Sequence, residues 1–228
     1  MTETDADLLN AKKVVCLLSG GLDSPVACYT LIKKECIPIF LYFDNSPYTG
    51  ETTKQQTVDM AKKLTEYIPE KEAKMYIAPQ GCNMTAFLET TSKRSLKYTC
   101  IFCKRMMYRI AEEIALIERG CAIATGEILG EQASQTLDNL FVLHQAVSRY
   151  TVLRPLISWD KVEVLTKARE IGTYEISSRQ TLPCTLSPEK PATKGWLKEI
   201  LEIESAIDIE TLIHESLKEA IILKIIPY

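Results

Sequence analysis

Six consecutive residues, Ser19-Gly20-Gly21-Leu22-Asp23-Ser24, bring two hydroxyls, one carboxylate and paired glycines into a single turn. The apolar run Val14-Val15-Cys16-Leu17-Leu18 precedes them, and Pro25-Val26-Ala27-Cys28-Tyr29-Thr30-Leu31-Ile32 follows. That order predicts a buried strand, a glycine turn and a helix, with Asp23 or Ser24 as the cap. Pro25 suits a first helical turn, where no N–H partner is needed. A glycine turn feeding a helix N-terminus gathers backbone N–H groups and the positive end of the helix dipole at one spot, and that spot binds phosphate. The loop lacks the Gly-Lys-Ser/Thr ending of a Walker A motif and does not have the spacing of G-x-G-x-x-G.

A second polar loop, Thr125-Gly126-Glu127-Ile128-Leu129-Gly130-Glu131-Gln132-Ala133-Ser134-Gln135-Thr136, follows the apolar Ala122-Ile123-Ala124. It is the expected opposite wall of a nucleotide cleft. Sulfur chemistry enters through Cys100-Ile101-Phe102-Cys103 and, far downstream, Cys184 in Leu182-Pro183-Cys184-Thr185. A Cys-x-x-Cys pair at a helix start sets two sulfurs on one side of a turn. The helix dipole, with Lys104 and Arg105, is expected to lower their pKa values. On spacing alone the pair fits redox, zinc or iron–sulfur chemistry. A closed structural zinc site wants four ligands, yet there is no second Cys-x-x-Cys and only two histidines, His144 and His214. Three cysteines suit an iron–sulfur cluster with one iron left open.

The elements that must hold these residues alternate. Strands are predicted over 14–18, 37–43, 74–78, 122–125 and 152–156. Helices are predicted over 52–67, 103–118, 137–148 and 160–171, the last closed by Gly172. Val58, Ala61, Leu64 and Ile68 form one apolar helix face, and Met107, Ile110, Ile114 and Ile117 another. This alternation predicts an α/β fold, a doubly wound and mostly parallel sheet with helices on both faces and ligands at the carboxyl ends of its strands. Beyond Gly195 the chain turns acidic and helical and ends in an apolar run, Ile221 to Ile226. The expected organisation is an N-terminal tail over 1–13, a catalytic domain over 14–194, and a small C-terminal helical appendage over 195–228 that ends in a strand or docking tail.

Composition is that of an ordinary globular protein, 46% apolar and 25% charged. No apolar run approaches the ~20 residues of a membrane helix. The start, Met1-Thr2-Glu3-Thr4-Asp5, is not a secretion signal, so the expected compartment is the cytoplasm, with no membrane partner. A net charge of −3 excludes nucleic-acid binding driven by overall charge. Lys93, Arg94, Lys97, Lys104, Arg105 and Arg109 nevertheless share a stretch with no Asp or Glu and predict a local cationic surface. Eight cysteines without a secretion signal argue against disulfides. Cys16, Cys28, Cys36 and Cys121 read as small packed hydrophobes.

Several of these segments, in the same order, resemble the adenylation (PP-loop) domain of the tRNA 4-thiouridine synthetases. They are Ser19 to Ala27, Lys104-Arg105-Met106-Met107, Thr125 to Gly130 with Ala133-Ser134-Gln135-Thr136, Arg154-Pro155-Leu156-Ile157 with Asp160-Lys161, and Pro183-Cys184 with Ser187-Pro188 and Pro191-Ala192-Thr193-Lys194. The resemblance runs from Val14 to Lys194. It implies an ATP-dependent tRNA sulfurtransferase that cuts ATP between the α and β phosphates, adenylates O4 of a uridine in tRNA and replaces that oxygen with sulfur, giving 4-thiouridine. By position it assigns Leu17, Leu18, Tyr42, Phe43, Arg105, Gly126 and Gln135 to ATP, with Ser19, Gly20 and Gly21 in the phosphate loop. It assigns Asp23 and Ser24 to the pyrophosphate and its Mg²⁺, and Cys184 to the reactive loop cysteine.

Cys100 and Cys103 resemble the archaeal members, which implies a 4Fe–4S cluster on Cys100, Cys103 and Cys184 whose free iron binds a hydrosulfide. The family carries an RNA-gripping THUMP module at the N-terminus, and bacterial members a C-terminal rhodanese domain. Only thirteen residues precede Val14, so the expectation is a stand-alone form without either. Such a chain would hold tRNA through a separate RNA-binding subunit or through the Lys93–Arg109 surface. A sulfide or sulfur donor protein and a second copy of the chain complete the expected partners. The same residues leave two alternatives: adenylating sulfur transfer to a small molecule, and a non-catalytic nucleotide- and metal-binding sensor.

Overall fold

In the computed structural model, which describes residues 12–228, the phosphate-type turn leaves a strand buried on both faces. That strand, β1 (Lys13–Leu17), leads into α1 (Asp23–Ile32), β2 (Ile37–Asp44), α2 (Glu51–Thr65), β3 (Ala73–Pro79) and α3 (Gly81–Thr90). A short 3₁₀ helix (Lys93–Tyr98) runs directly into α4 (Thr99–Ile117). Then follow β4 (Ala122–Ala124), α5 (Leu137–His144), β5 (Thr151–Leu153), α6 (Lys161–Glu170), α7 (Tyr174–Ser177), α8 (Leu197–Glu204), α9 (Ile209–Lys218) and β6 (Ile221–Ile225). Residues 1–11 of the expected N-terminal tail lie outside the described residues.

The six strands form one sheet in the order β5-β4-β1-β2-β3-β6, parallel except for β6, which runs antiparallel to β3. Alternate residues of β1 feed two cores. Val15 joins Ile39, Leu41 and Ile123 beneath Ile110, Ala111, Ile114 and Ala115 of α4. Val14 and Cys16 join Phe40, Tyr42 and Ala124 beneath Met60, Ala61 and Leu64 of α2. Burial on both faces is why these strands read as continuous apolar runs. The strand order reverses direction between β1 and β4, whose Cys16 and Ala124 are register partners. Ligands on such sheets bind at that switch point, outside the carboxyl ends.

Helices α8 and α9 supply the expected C-terminal helices, and β6 supplies the terminal strand, closing the sheet edge against β3. An ion triad ties this segment to the core. Glu204, at the end of α8, accepts from Arg105 Nε and Nη2 at 2.7 and 2.8 Å and from Arg109 Nη1 and Nη2 at 2.8 and 2.6 Å. Arg105 is fully buried and also donates to Val142 O.

Some sequence expectations are corrected. Helix α3 and the 3₁₀ turn were not expected, because polar Asn83, Thr85, Ser92 and Ser95 mask their periodicity. Ile117 is 61% exposed, so the buried stripe of α4 is Ile110 and Ile114 without it. Cys121 is exposed, in the turn before β4, rather than packed. No helix of the described residues is long and apolar enough to cross a membrane.

Candidate functional site

A cleft of about 350 Å³ opens at the switch point. Leu17, Leu18, Leu41, Tyr42, Phe43 and Met107 give it an apolar end. Ser19, Gly21, Asp23, Ser24, Gly126, Gln132 and Gln135 give it a polar one. Small-molecule sites have this mixture of apolar wall and a few convergent polar groups. Of the residues singled out from sequence, Leu17, Leu18, Ser19, Gly21, Asp23, Ser24, Tyr42, Phe43, Gly126 and Gln135 line the cleft. Gly20 sits just behind, its carbonyl accepting from buried Gln56 Nε2 at 2.9 Å.

The loop is closed by its own hydroxyls. Ser24 does not cap α1; its Oγ accepts from Ser19 N–H at 2.9 Å and lies 2.9 Å from Ser19 Oγ. Helix α1 has no side-chain cap, so its first N–H groups remain available to an anion. Opposite, Gly126 comes so close that a Cβ there would stand 2.6 Å from Ser24 Cα and N. The two loops therefore meet backbone to backbone, which only glycine permits.

Three polar atoms of the lining, Thr49 Oγ1, Thr53 Oγ1 and Gln135 Oε1, are buried without a hydrogen-bond partner. Buried polar atoms are seldom left unpaired in a native structure, and a ligand with donors and acceptors would satisfy them. Asp23 is bound by Lys161 Nζ at 2.8 Å, and the same ammonium reaches Glu131 at 3.2 Å. Burial would depress the Lys161 pKa, but bonds to these two carboxylates raise it overall.

The floor of the polar end is a charge network around buried Glu127. Its carboxylate accepts from Lys104 Nζ at 3.1 Å, Tyr108 OH at 2.6 Å, Thr125 Oγ1 at 3.1 Å and Arg154 Nε at 2.8 Å. Burial alone would raise the Glu127 pKa; the cations Lys104 and Arg154 and the Tyr108 hydroxyl outweigh it and hold the group ionised. Burial, then the Glu127 charge, pushes the Tyr108 phenol upward, so it stays a donor.

Here the expectation for Arg105 is corrected. Its side chain points into the protein to Glu204, whereas Lys104, one residue earlier, lines the cleft. Helical phase explains the difference. Arg105 shares the buried face of Ile101, Phe102 and Met106, while Lys104 shares the cleft face of Met107 and Tyr108. The predicted cationic surface is also reduced. Lys104 is paired with Glu127, Arg105 and Arg109 with Glu204, and Lys97 lies 4.0 Å from Glu199.

Of the three thiols, Cys103 touches a residue of the cleft wall. Asn45, a lining residue, accepts from Cys103 Sγ at 4.0 Å, and Gln80 Nε2 donates to the same sulfur at 3.8 Å. The loop bearing exposed Cys184 is seated on the β2–α2 loop through Thr185 N–H to Tyr48 O at 3.0 Å. Cys184 is close enough for its charge to act on both Cys100 and Cys103. The expected lowering of thiol pKa is corrected: burial pushes Cys100 up and Cys103 to about 12, more than Lys104 and, for Cys103, the Gln80 hydrogen bond offset. Three thiols in one neighbourhood are the right donors in kind for an iron–sulfur group. As arranged they do not form a closed ligand set, since among the described residues no three His, Cys, Asp or Glu side chains stand close enough to hold a metal ion.

A mostly parallel sheet whose switch point carries a glycine-rich loop facing a Thr-Gly loop defines an α/β protein of the PP-loop class. Residues 10–209 match the family described as thiamine biosynthesis protein (ThiI), and the chain belongs to that family. It is 39% identical over 215 residues to a probable tRNA sulfurtransferase of Methanosarcina mazei, covering 93% of this chain and 52% of the relative. The chain thus spans about half the length of the curated relatives it matches. Its backbone superposes with a TM-score of 0.88 on a 4-thiouridine synthetase solved with RNA and bound ATP, at 33% identity, over 94% of this chain and 55% of that one. The NMN synthetase of Francisella tularensis shares the fold, with a TM-score of 0.56 at 15% identity over 94% of this chain and 84% of that one.

Proposed function

We propose that this chain is the ATP-using, sulfur-transferring core of a tRNA sulfurtransferase that converts a uridine to 4-thiouridine. The observation that carries the reading is a cleft whose two walls are the Ser19–Ser24 and Thr125–Thr136 loops, with the Cys103 thiol against Asn45 of its lining. The named relative is a probable tRNA sulfurtransferase, and the solved neighbour binds ATP and RNA.

In this reading the apolar end, Leu17, Leu18, Tyr42 and Phe43, takes the adenine, and Gly126 and Gln135 take the ribose–phosphate part. Lys104, held by Glu127, replaces Arg105 as the cation facing the phosphates. The uncapped N–H groups of α1 and the Ser19–Ser24 turn receive the departing pyrophosphate, and Asp23 and Ser24 are the residues that would hold an accompanying Mg²⁺. Uridine O4 attacks the α-phosphorus and pyrophosphate leaves, which turns a poor leaving group into AMP. Hydrosulfide then attacks C4, the C4–O bond breaks, AMP leaves, and loss of the sulfur's proton gives the 4-thio group. Cys184, exposed on its loop, would help to hold that sulfide and forms no bond to C4. Cys100, Cys103 and Cys184 are the residues that would hold an iron–sulfur cluster, and such a cluster would supply a site for sulfide. The partners are tRNA, with or without a separate RNA-binding subunit, a sulfide source, and a second copy of the chain; the setting is the cytoplasm.

The test is nucleoside mass spectrometry of unmodified tRNA incubated anaerobically with the protein, ATP, Mg²⁺ and sulfide, alongside pyrophosphate release. Appearance of 4-thiouridine that requires ATP and Asp23 supports the reading. Pyrophosphate release on a small carbonyl compound but not on tRNA would replace it. Iron and sulfide that protect Cys100, Cys103 and Cys184 together from alkylation support the cluster, and protection of none of them removes it.

A further inference from the structure

The 3₁₀ turn before the cysteine helix and the segment after the Cys184 loop converge on one corner of the molecule. Ala192 N–H donates to Lys97 O at 3.0 Å, Asn139 Nδ2 donates to Ala192 O at 2.8 Å, and Thr136 Oγ1 donates to Thr193 O at 2.7 Å. Gly195 N–H closes the clamp on Asn139 Oδ1 at 2.7 Å. These bonds bring the segment that carries Lys190 and Lys194 against the 3₁₀ turn that carries Lys93 and Arg94. All four are exposed, and among the described residues none makes an ion pair. Their state differs from that of Lys104, Arg105 and Arg109, which buried glutamates neutralise.

Two more features lie at the same corner. Trp196 is 55% exposed, with Lys194 Nζ 4.7 Å from its ring centroid. A hollow of about 460 Å³ opens between Ser92, Arg94, Ser95 and Lys97 on one side and Glu199 and Glu202 on the other, and the Thr91 hydroxyl on its wall is buried with no partner. The corner brackets the thiols: Cys100 follows Lys97 by three residues, and Cys184 precedes Lys190 by six.

We propose that Lys93, Arg94, Lys190, Lys194 and Trp196 form an RNA-contacting surface on this chain, in which the cations track the phosphate backbone beside the modified uridine and Trp196 stacks on an unpaired base. The surface rests on the proposed tRNA thiolation and adds to it the place where this chain itself meets the substrate. Unpaired cations interleaved with an exposed aromatic are the pattern of single-strand recognition, sequence-tolerant and salt-dependent. Rigid anchoring by Asn139 lowers the ordering cost of contact. RNA is favoured over an acidic protein because the surface adjoins the thiols and offers an exposed indole face.

Fluorescence anisotropy with an unmodified tRNA transcript, over 20–300 mM KCl, tests this on the wild-type chain and three variants. They are the fourfold Lys93→Gln, Arg94→Gln, Lys190→Gln, Lys194→Gln; Trp196→Ala; and a control, Lys33→Gln with Lys34→Gln, at the far end of α1. Loss of four phosphate contacts lowers the slope of log affinity against log salt by about 3, so the wild type loses about 60-fold more affinity than the fourfold variant between 50 and 200 mM. Trp196→Ala weakens binding roughly tenfold with the slope unchanged. The control matches wild type, and ATP-binding affinity is the same in all four proteins. Wild-type binding with equal slopes in every protein overturns the surface and leaves the thiolation reading standing. No wild-type binding at 20 mM also overturns it, while the ATP cleft is judged by pyrophosphate release. Equal losses for tRNA and poly-glutamate identify a general polyanion site and overturn the assignment to RNA.

Discussion

Replacing Gly126 by Ala probes the contact on which the cleft depends. An added Cβ would lie 2.6 Å from Ser24 Cα, 2.6 Å from Ser24 N and 2.9 Å from Asp23 C, where ordinary contact begins at 3.4 Å. The obstructing atoms are backbone, so no rotamer change relieves them. Strand β4 is fixed by its ladders to β1 and β5, and the first turn of α1 must retreat by roughly 0.8 Å. Overpacking of this kind costs about 1–3 kcal/mol, which for a chain of this size lowers Tm by about 2–12 °C. The retreat also opens the Ser19–Ser24 turn, and a shift near 1 Å in a reacting geometry costs on the order of 100-fold in rate. Gly130→Ala is the matched control: its φ is +78° but nothing lies within 4 Å of its Cβ. That substitution costs only left-handed backbone strain of about 1 kcal/mol and leaves the cleft untouched. Calorimetric ATP titration, ATP-dependent pyrophosphate release and thermal melts read all three quantities. A Gly126→Ala protein with wild-type release and ATP affinity would refute the reasoning, as would a Gly130→Ala protein damaged equally.

Three further outcomes follow from the charge and thiol environments. Glu204→Ala strands fully buried Arg105 and should cost about 3–5 kcal/mol in chemical denaturation; Arg105→Met with Glu204→Leu should recover most of this and bind ATP normally, whereas Lys104→Met should weaken ATP, and the reverse pattern would restore Arg105 to the cleft. Glu127, Glu204 and Glu118, the last paired with Lys74 and bonded by the Tyr76 hydroxyl, all have pKa values that burial tends to raise but paired cations and donors hold below the ordinary 4.5. Their contribution is complete above pH 4.5 and is lost as pH falls through the lowered folded values, so unfolding free energy should rise with pH in that acid window; Glu127→Gln should reduce that slope, and a flat profile there would contradict the network. Burial keeps Cys103, with its pKa near 12, protonated at pH 7.5, so iodoacetamide should label it roughly a thousandfold more slowly than an ordinary exposed thiol, while exposed Cys184 is labelled early; mass spectrometry showing equal rates would reject the burial.

The strands were legible because a parallel sheet covered on both faces leaves unbroken apolar runs, as in β1, β2 and β3, and the turn residues between them are Gly, Asp, Asn and Pro. Helix α6 was legible from its Asp160 cap, which closes a capping box with Glu163. Helix α3 was not, because Asn83 sits on its buried face to bond Gln80 Oε1 and Ser216. A polar residue satisfied by a partner 133 positions away breaks the periodicity that sequence reading relies on.

The same non-local logic separates what was readable in the site from what was not. The backbone-driven parts, the Ser19–Ser24 turn and the Thr125-Gly126 approach, are encoded by glycine and small hydroxyl residues in a few consecutive positions. The charge-driven parts depend on which acid each cation finds. In the run from Lys93 to Arg109 no local acid distinguishes one cation from another. Glu127 takes Lys104 and leaves it facing the cleft, while Glu204, from the C-terminal helices, takes Arg105 and Arg109 out of play. Lys93 and Arg94 remain unpaired and gain Lys190 and Lys194 as neighbours through the Lys97–Ala192 bond. One basic stretch is thus divided by its partners into a cleft cation, a structural clamp and a surface for polyanions. The phase of α4 sets the first two: a single-residue shift would bury Lys104 against Glu204 and leave Glu127 to Arg154 alone.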